Sequence, residues 1–199
     1  MTHTERVPPR YEYMIDLCRI VETGDGSTGI HVDRVGEYSF RMARELGLAP
    51  EECDMILLAA RIHDIGKIRV PDTILKKPGK LTREEFAVIK RHPVEGMKII
   101  ETCKNDPILI YARDIVLTHH EKYDGSGYPF GLKGKGIPLR GRIVAVADVF
   151  DAITSERVYK SAWPLEKALT YMKEQRERQF DPEVVDAFLS IIGGSVCLR

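Results

Sequence analysis

Residues 50–67, PEECDMILLAARIHDIGK, contain the clearest indication of how this chain folds. This stretch opens with a proline and two glutamates. This suits a first helical turn, because proline needs no N–H there and acids favour the positive end of the helix dipole. An apolar run follows and reaches His63 and Asp64, and Gly66 then favours the end of the helix. The stretch predicts a buried helix that carries an imidazole and a carboxylate at its C-terminal end.

Further helices are predicted on both sides of this stretch. Apolar residues recur at helical spacing over residues 10–23 and 31–46, and Gly47 ends the second pattern. Thr82 and Glu85 have the spacing of a capping box at the start of a later helix. The chain is therefore rich in amphipathic helices from its first quarter onward.

Two prolines shape the middle of the chain. His92–Pro93 interrupts a predicted helix, because the residue before a proline avoids the helical conformation. Asp106–Pro107 predicts the N-cap and first position of a helix that reaches His119–His120. Residues 122–137 are rich in glycine and predict a long loop, and long loops of this kind are often functional.

The last third of the chain also favours helices. The run from Ile143 to Ile153 is apolar enough for a buried strand or a buried helix, and periodicity does not separate the two. We favour a helix because predicted helices lie on both sides, the later ones beginning at Pro164 and Asp181–Pro182. A length of 199 residues fits one domain, so the predicted fold class is all-α.

Composition narrows the classes of protein. The chain is 43% hydrophobic and 30% charged, which is ordinary for a soluble globular protein. It shows no apolar run of membrane-spanning length and no signal-peptide pattern, so we expect a cytoplasmic protein. Its four cysteines lie far apart and form no CxxC pair, which argues against a zinc-thiolate site.

The charge distribution is uneven although the net charge is zero. Residues 61–142 hold 17 basic and 10 acidic side chains, an excess that suits an anionic ligand. Solvated helix faces explain the same excess equally well. The sequence has no long basic stripe, so we expect no binding to duplex nucleic acid.

Histidines stand near the ends of the predicted helices, and His63 is followed at once by Asp64. A lone histidine on an apolar helix is more often a core residue or a cap than a metal ligand. A buried carboxylate, however, is costly without hydrogen bonds, a cation or a metal. Neighbouring helical residues diverge by about 100°, so the pair can bind one metal from one side while the carboxylate bridges to a second.

Two other places pose the same question. His119 and His120 are adjacent and cannot both face one apolar core. Asp148 lies in the apolar run VAVADVFDAI, where it is either a buried ligand or a satisfied structural acid. Imidazoles and carboxylates without thiolates suit iron, manganese, cobalt or zinc. Two such metals about 3.5–4 Å apart are the usual arrangement for hydrolysing phosphate esters.

Three motifs in this order resemble the HD-GYP family, the subset of HD phosphohydrolases associated with cyclic di-GMP hydrolysis. The motifs are HDIGK (63–67), HHEKYDGSGYP (119–129) and ADVFDA (147–152). The resemblance implies an all-α HD-domain helical bundle with a five-helix core and additional helices. It divides the chain into an N-terminal tail, 1–15, and a catalytic domain, 16–199.

The resemblance also implies a set of site residues. The implied metal ligands are His31, His63, Asp64, His92, His119, His120 and Asp148. Asp64 and Lys67 are the implied catalytic residues, with Lys67 beside the scissile phosphate. Tyr128, Arg157 and Lys160 match positions that line the substrate site. Taken alone, Lys67 is also compatible with a solvated cation, Tyr128 with a packing residue, and Arg157 and Lys160 with surface charges.

Two positions depart from the family pattern. Many members carry a glutamate four residues before the first ligand histidine, where it helps to hold a third metal, and here that position is Ser27. We therefore expect two divalent metals, iron or manganese, rather than three. Lys135 stands where an acidic residue is common and is expected to alter contacts of the loop rather than the fold.

The expected function is hydrolysis of cyclic di-GMP to linear pGpG, and onward to GMP to some extent, by a hydroxide that bridges the metals. One alternative is an HD phosphohydrolase for another cyclic dinucleotide or a nucleotide. The other is a weakly active receptor that binds the dinucleotide and signals through a partner. A protein partner on the GYP loop and a homodimer are also left open.

Overall fold

The computed structural model describes residues 9–24, 29–101, 106–156 and 161–196. The described helices are α1 (Pro9–Gly24), α2 (Ile30–Glu45), α3 (Pro50–Ala60), α4 (Asp72–Leu75), α5 (Arg83–Ile89), α6 (His92–Ile100), α7 (Pro107–Thr118), α8 (Leu139–Thr154), α9 (Leu165–Glu174) and α10 (Pro182–Val196). Two short 3₁₀ segments lie at Ile65–Arg69 and Gly134–Gly136. Within these ranges the one β-type pairing is an isolated bridge between Arg176 and Phe180, so the all-α prediction is confirmed.

Four helices form the centre of the bundle. Helix α2 packs against α3 and α8, and α7 packs against both α3 and α8. Val32, Ile56, Ile115 and Val146 point into the space between them and are buried. Helix α6 joins this centre through α7 and through the 3₁₀ segment Ile65–Arg69, and α1 contacts the same segment. This arrangement brings the ends of α3, α6 and α7 together on one side of the bundle.

Several predicted helix starts are confirmed. The Thr82 side chain accepts a hydrogen bond from the Glu85 N–H, and the Glu85 carboxylate accepts one from the Thr82 N–H, which completes the capping box of α5. The Asp106 carboxylate caps α7 by accepting from the Ile108 N–H. The apolar run after Pro138 is helical, as predicted.

The prediction that one helix runs from Pro50 to His63–Asp64 is wrong at its end. Helix α3 ends at Ala60, and the next N–H groups bond three residues back rather than four, as in the 3.2 Å bond from Ile62 N to Ala59 O. The cause is the close approach of α6. A Cβ at Gly66 would lie 1.9 Å from the His92 carbonyl oxygen, so the chain must tighten to pass beneath α6.

The first described helix begins within residues 1–15, which the sequence-based division calls an N-terminal tail. Helix α1 begins at Pro9, and Tyr11 and Ile15 are buried in the core. The Tyr11 hydroxyl donates a hydrogen bond to the Asp106 carboxylate, which links α1 to the start of α7. Tyr11 and Ile15 thus pack on the helical body. The domain division itself stays a prediction.

Membrane insertion is a separate question. No helix in the described ranges combines the length and the apolar character that a bilayer span requires.

Candidate metal centre

The side chains predicted as metal ligands come from five places in the chain and meet where helix ends converge. They are His31 in the first turn of α2, His63 and Asp64 in the turn after α3, His92 at the start of α6, His119 and His120 after α7, and Asp148 in α8. The structure therefore brings all seven together. The tightened turn after Ala60 places His63 and Asp64 among the other predicted ligands.

The donor atoms form two groups, within each of which all of them lie less than 4.8 Å apart. The Asp64 group consists of Asp64, His92, His119 and His120, and the His31 group consists of His31, His63 and Asp148. Asp64 also faces the second group. Its Oδ1 lies 3.0 Å from His92 Nε2, and its Oδ2 lies 3.2 Å from His63 Nε2. One carboxylate thus presents one oxygen to each group, which is the geometry of a bridging ligand.

Three of the histidines are oriented by the backbone of their own segments. In each, Nδ1 lies close to a carbonyl oxygen three or four residues earlier: 2.7 Å for His63 to Ala60, 2.8 Å for His92 to Ile89 and 3.0 Å for His119 to Ile115. A carbonyl oxygen only accepts, so each Nδ1 carries the hydrogen. In the neutral ring, Nε2 then has its lone pair directed into the site, as a metal ligand requires.

His31 is oriented differently. Its Nδ1 lies 2.6 Å from a carboxylate oxygen of Asp151, which is itself bound by the Arg34 guanidinium. Its Nε2 lies 3.4 Å from Asp148 Oδ1. Burial by itself lowers the pKa of His31, but the hydrogen bonds to Asp148 and Asp151 outweigh it and raise the pKa to about 10. This position therefore strongly attracts positive charge.

Several observations fit a divalent metal at these groups. Asp64 Oδ1 and His63 Nε2 are buried and make no hydrogen bond to the described residues. His92 Nε2 and His119 Nε2 face each other at 3.4 Å, each with its hydrogen on the other nitrogen. Opposed lone pairs repel, and a cation between them removes that cost. The imidazole and carboxylate donors, without a thiolate, suit iron, manganese, cobalt or zinc.

The electrostatics of the Asp64 group favour an ionised Asp64 and a neutral His120. Burial raises the pKa of Asp64, but Lys67, His63 and His92 outweigh it and hold the pKa well below its usual range, so the side chain is a carboxylate. Burial, reinforced by His119 and His92, lowers the pKa of His120 well below its usual value. A neutral imidazole and an ionised carboxylate are both ready to bind a metal.

A cavity of about 310 Å³ opens beside the Asp64 group. Lys67, His92, His120 and Tyr128 line its polar side, and apolar residues such as Ile74 complete it. Two of the predicted substrate residues, Lys67 and Tyr128, therefore reach this space. The other two, Arg157 and Lys160, lie outside the described residues, as does Ser27.

The loop that carries Tyr128 is folded around Glu121. The buried Glu121 carboxylate accepts hydrogen bonds from the backbone N–H groups of Phe130 (2.7 Å) and Leu132 (3.1 Å). A Cβ at Gly127 would lie 2.3 Å from Lys122 N, so this turn requires glycine. These contacts hold the Tyr128 ring against His120, with centroids 4.8 Å apart and the ring planes inclined by 29°.

Three acids that lie at or beside the site, Asp151, Glu121 and Glu22, had no role predicted from the sequence. Asp151 was part of the quoted motif ADVFDA, and a second acid in so apolar a run was a usable signal. Glu121 directly follows the histidine pair. Glu22 carried no signal, because its burial depends on how α1 packs against the segment after α3.

Known proteins with similar sequences support this picture. Residues 17–184 match the family model described as HD domain. The cyclic di-GMP phosphodiesterase response regulator RpfG of Xanthomonas campestris is 50% identical over 178 residues, which are 89% of this chain and 47% of that protein. The 3′3′-cGAMP-specific phosphodiesterase 2 of Vibrio cholerae is 44% identical over 178 residues, 89% of this chain and 34% of that protein. The chain thus spans less than half the length of either relative.

The fold has counterparts among solved structures. An HDG"Y"P protein from Bdellovibrio bacteriovorus superposes with a TM-score of 0.67 at 22% identity, over 92% of this chain and 64% of that one. At that identity the likeness is one of fold. The fold and the histidine–aspartate site define an HD-type helical bundle, and the chain belongs to the HD domain family. The predicted resemblance to HD-GYP proteins is confirmed.

Proposed function

We propose that this chain is a metal-dependent phosphodiesterase that hydrolyses a cyclic dinucleotide, with cyclic di-GMP as the preferred substrate. The observation that carries the proposal is the position of Asp64, one carboxylate shared between two groups of imidazole ligands, beside a cavity lined by Lys67. The names of the relatives support the substrate class, since both are cyclic dinucleotide phosphodiesterases.

The site suits two divalent metals, iron or manganese. Each ligand group supplies three or four donors, and the bridging carboxylate ties the two groups together. When bound, such metals lower the pKa of a water molecule and offset the negative charge of a phosphodiester. Seven ligands without a carboxylate at position 27 favour two metals rather than three.

The side chains of the chain perform the remaining tasks. Lys67 places an ammonium between the ligands and the cavity, where it stabilises negative charge that develops on a phosphate. Its position also suits protonation of the leaving oxygen. Tyr128 shapes the cavity wall by stacking on His120. Arg157 and Lys160 remain predicted contacts for the substrate phosphates, and linear pGpG remains the predicted main product.

A second cyclic dinucleotide is a specific alternative. The Vibrio cholerae relative is named for 3′3′-cGAMP and is nearly as similar to this chain as RpfG. Ile74, Leu75 and Leu81 form an apolar part of the cavity wall that suits either purine base, and Lys77 lines the same cavity. Competition between the two dinucleotides therefore decides the base preference.

The test is anaerobic purification with metal analysis, followed by product analysis on cyclic di-GMP, 3′3′-cGAMP and cyclic di-AMP in large excess over protein. We expect about two metals per chain and many turnovers, with cyclic di-GMP hydrolysed fastest. Stoichiometric binding without turnover by the metal-loaded protein would identify a receptor. Faster hydrolysis of 3′3′-cGAMP would move the assignment to the alternative substrate.

A further inference from the structure

Glu22 is an acid at the site that belongs to neither ligand group. It lies near the end of α1 and is wholly buried. Its Oε1 accepts a hydrogen bond from Lys67 Nζ at 2.9 Å, and its Oε2 lies 3.9 Å from His31 Nε2. Because a buried carboxylate is costly without a cationic partner, its place in the fold depends on these neighbours.

Among the described residues, Lys67 lies between two carboxylates. Its Nζ lies 2.8 Å from Asp64 Oδ2 on one side and 2.9 Å from Glu22 Oε1 on the other. Its side chain is only 12% exposed, and it lines the cavity beside the ligands. The ammonium therefore occupies a defined position at the edge of the cavity rather than moving freely on its four-carbon stem.

The two carboxylates differ in what else they contact. Asp64 also faces the Nε2 atoms of His63 and His92, so bound metals would partly neutralise its negative charge. Glu22 stands outside both ligand groups. It supplies negative charge on the far side of Lys67, where it offsets repulsion between the ammonium and the cations that the site attracts.

The fold supports this arrangement through α1. That helix packs against the 3₁₀ segment Ile65–Arg69, which carries Lys67, so the backbones of the two partners are fixed relative to each other.

We propose that Glu22 is a positioning residue for Lys67. Its carboxylate fixes the ammonium at the edge of the cavity, so that Lys67 meets the phosphodiester in one orientation. The inference rests on the proposed function, because it assigns Lys67 to the phosphate. It differs from a role for Glu22 as a further metal ligand, which predicts loss of metal when the carboxylate is removed.

The test is a double-mutant cycle on Glu22→Gln and Lys67→Met, with bis(p-nitrophenyl) phosphate as the probe and metal content measured for each variant. We expect Glu22→Gln to keep the metal content and lower kcat about tenfold, less than the ~10²-fold expected for removing the ammonium itself. In the Lys67→Met background, Glu22→Gln should change kcat by less than about twofold, because the two residues act as one unit.

The matched control is Asp33→Asn. Asp33 also pairs with an α1 side chain, Arg19, and with Arg61, but it does not contact Lys67. Its removal should leave kcat within about twofold, and any loss should be the same with and without Lys67. Equal losses from Glu22→Gln in both backgrounds would overturn the proposal, and so would loss of metal on Glu22→Gln.

A second variant keeps the proposal testable if Glu22→Gln fails to fold. Glu22→Asp keeps the charge but shortens its reach by one methylene, so we expect full metal content and an intermediate kcat. An unchanged kcat in that variant would overturn the proposal. Bis(p-nitrophenyl) phosphate reports hydrolysis without recognition of a dinucleotide. If the unmodified protein cleaves this probe but no cyclic dinucleotide, the proposed substrate is refuted, and the double-mutant cycle still tests the role of Glu22. An unmodified, metal-loaded protein that cleaves neither refutes both.

Discussion

The two ligand groups are built in different ways although they share Asp64. In the Asp64 group, His92 and His119 are oriented by backbone carbonyls three or four residues earlier in the chain, so their geometry is local. In the His31 group, His31 is oriented by Asp151, which lies 120 residues away in the chain. The orientation of His92 and His119 therefore depends on local backbone, whereas that of His31 depends on the packing of α2 against α8; His63, the other histidine of the His31 group, is oriented locally by the Ala60 carbonyl.

The difference is also electrostatic. The ring of His120 has a pKa well below its usual value, because burial and the neighbouring histidines disfavour its charged form. The ring of His31 has a pKa of about 10, because two carboxylates favour positive charge there. A carboxylate behind a ligand histidine also makes that ring a stronger donor. The two groups are thus expected to bind metal with different affinities and to respond differently to single substitutions.

The largest expected effect comes from the residue that the groups share. Asp64→Asn removes the charge of the bridging carboxylate, so both metals should be lost and hydrolysis should fall to background while helix content is retained. Metal analysis and circular dichroism measure the two results. Asp33→Asn serves as the control outside the site. A variant that keeps both metals and activity within a few-fold would show that the groups do not share Asp64.

Lys67 should affect chemistry rather than metal binding. It contacts Asp64 but is not a ligand, so Lys67→Ala should keep two metals and lower kcat by about 10², the scale of one preorganised electrostatic group. Steady-state kinetics on the metal-loaded variant give the value. Metal lost in parallel with activity would instead make Lys67 part of the support for the Asp64 group.

A substitution of Asp151 should weaken metal binding at one group but not at the other. Asp151→Asn removes the charged acceptor behind His31, so metal affinity at the His31 group should fall about 10–100-fold while the Asp64 group is unaffected. Two-site metal titration measures this. Asp181→Asn is a matched control, because Asp181 is also a buried acid bound to an arginine, Arg142, but lies outside both groups. Equal weakening of both metals by Asp151→Asn would contradict the division into two groups.

Tyr128 should have the smallest effect, on substrate binding beside the Asp64 group. Tyr128→Ala removes the ring that stacks on His120 and should raise KM about tenfold, within the range for losing one stacking contact to a base. Tyr128→Phe keeps the ring and should change KM less than about threefold, because stacking does not need the hydroxyl. If both variants raise KM equally, the hydroxyl rather than the ring makes the contact.

Much of the candidate site could be predicted from residue types and their order. The seven ligand-type residues stand at helix ends or in apolar runs, where an unpaired imidazole or carboxylate needs an explanation. Helix starts could also be predicted, because capping residues such as Thr82 and Asp106 accept hydrogen bonds from N–H groups two or three residues later. A protein partner on the GYP loop, a homodimer and a cytoplasmic location stay predictions.

How these local pieces meet depends on contacts between segments that are far apart in the chain. The sequence alone predicts an all-α chain, most of its helix boundaries and the residue types of a candidate metal centre, because each depends on neighbours within one or two turns. It did not determine that α3 stops at Ala60, since the cause is the close approach of α6 to Gly66. Nor did it reveal Glu22 beside the predicted ligands, because the burial of Glu22 and its pairing with Lys67 across 45 residues follow from helix packing and leave no local pattern.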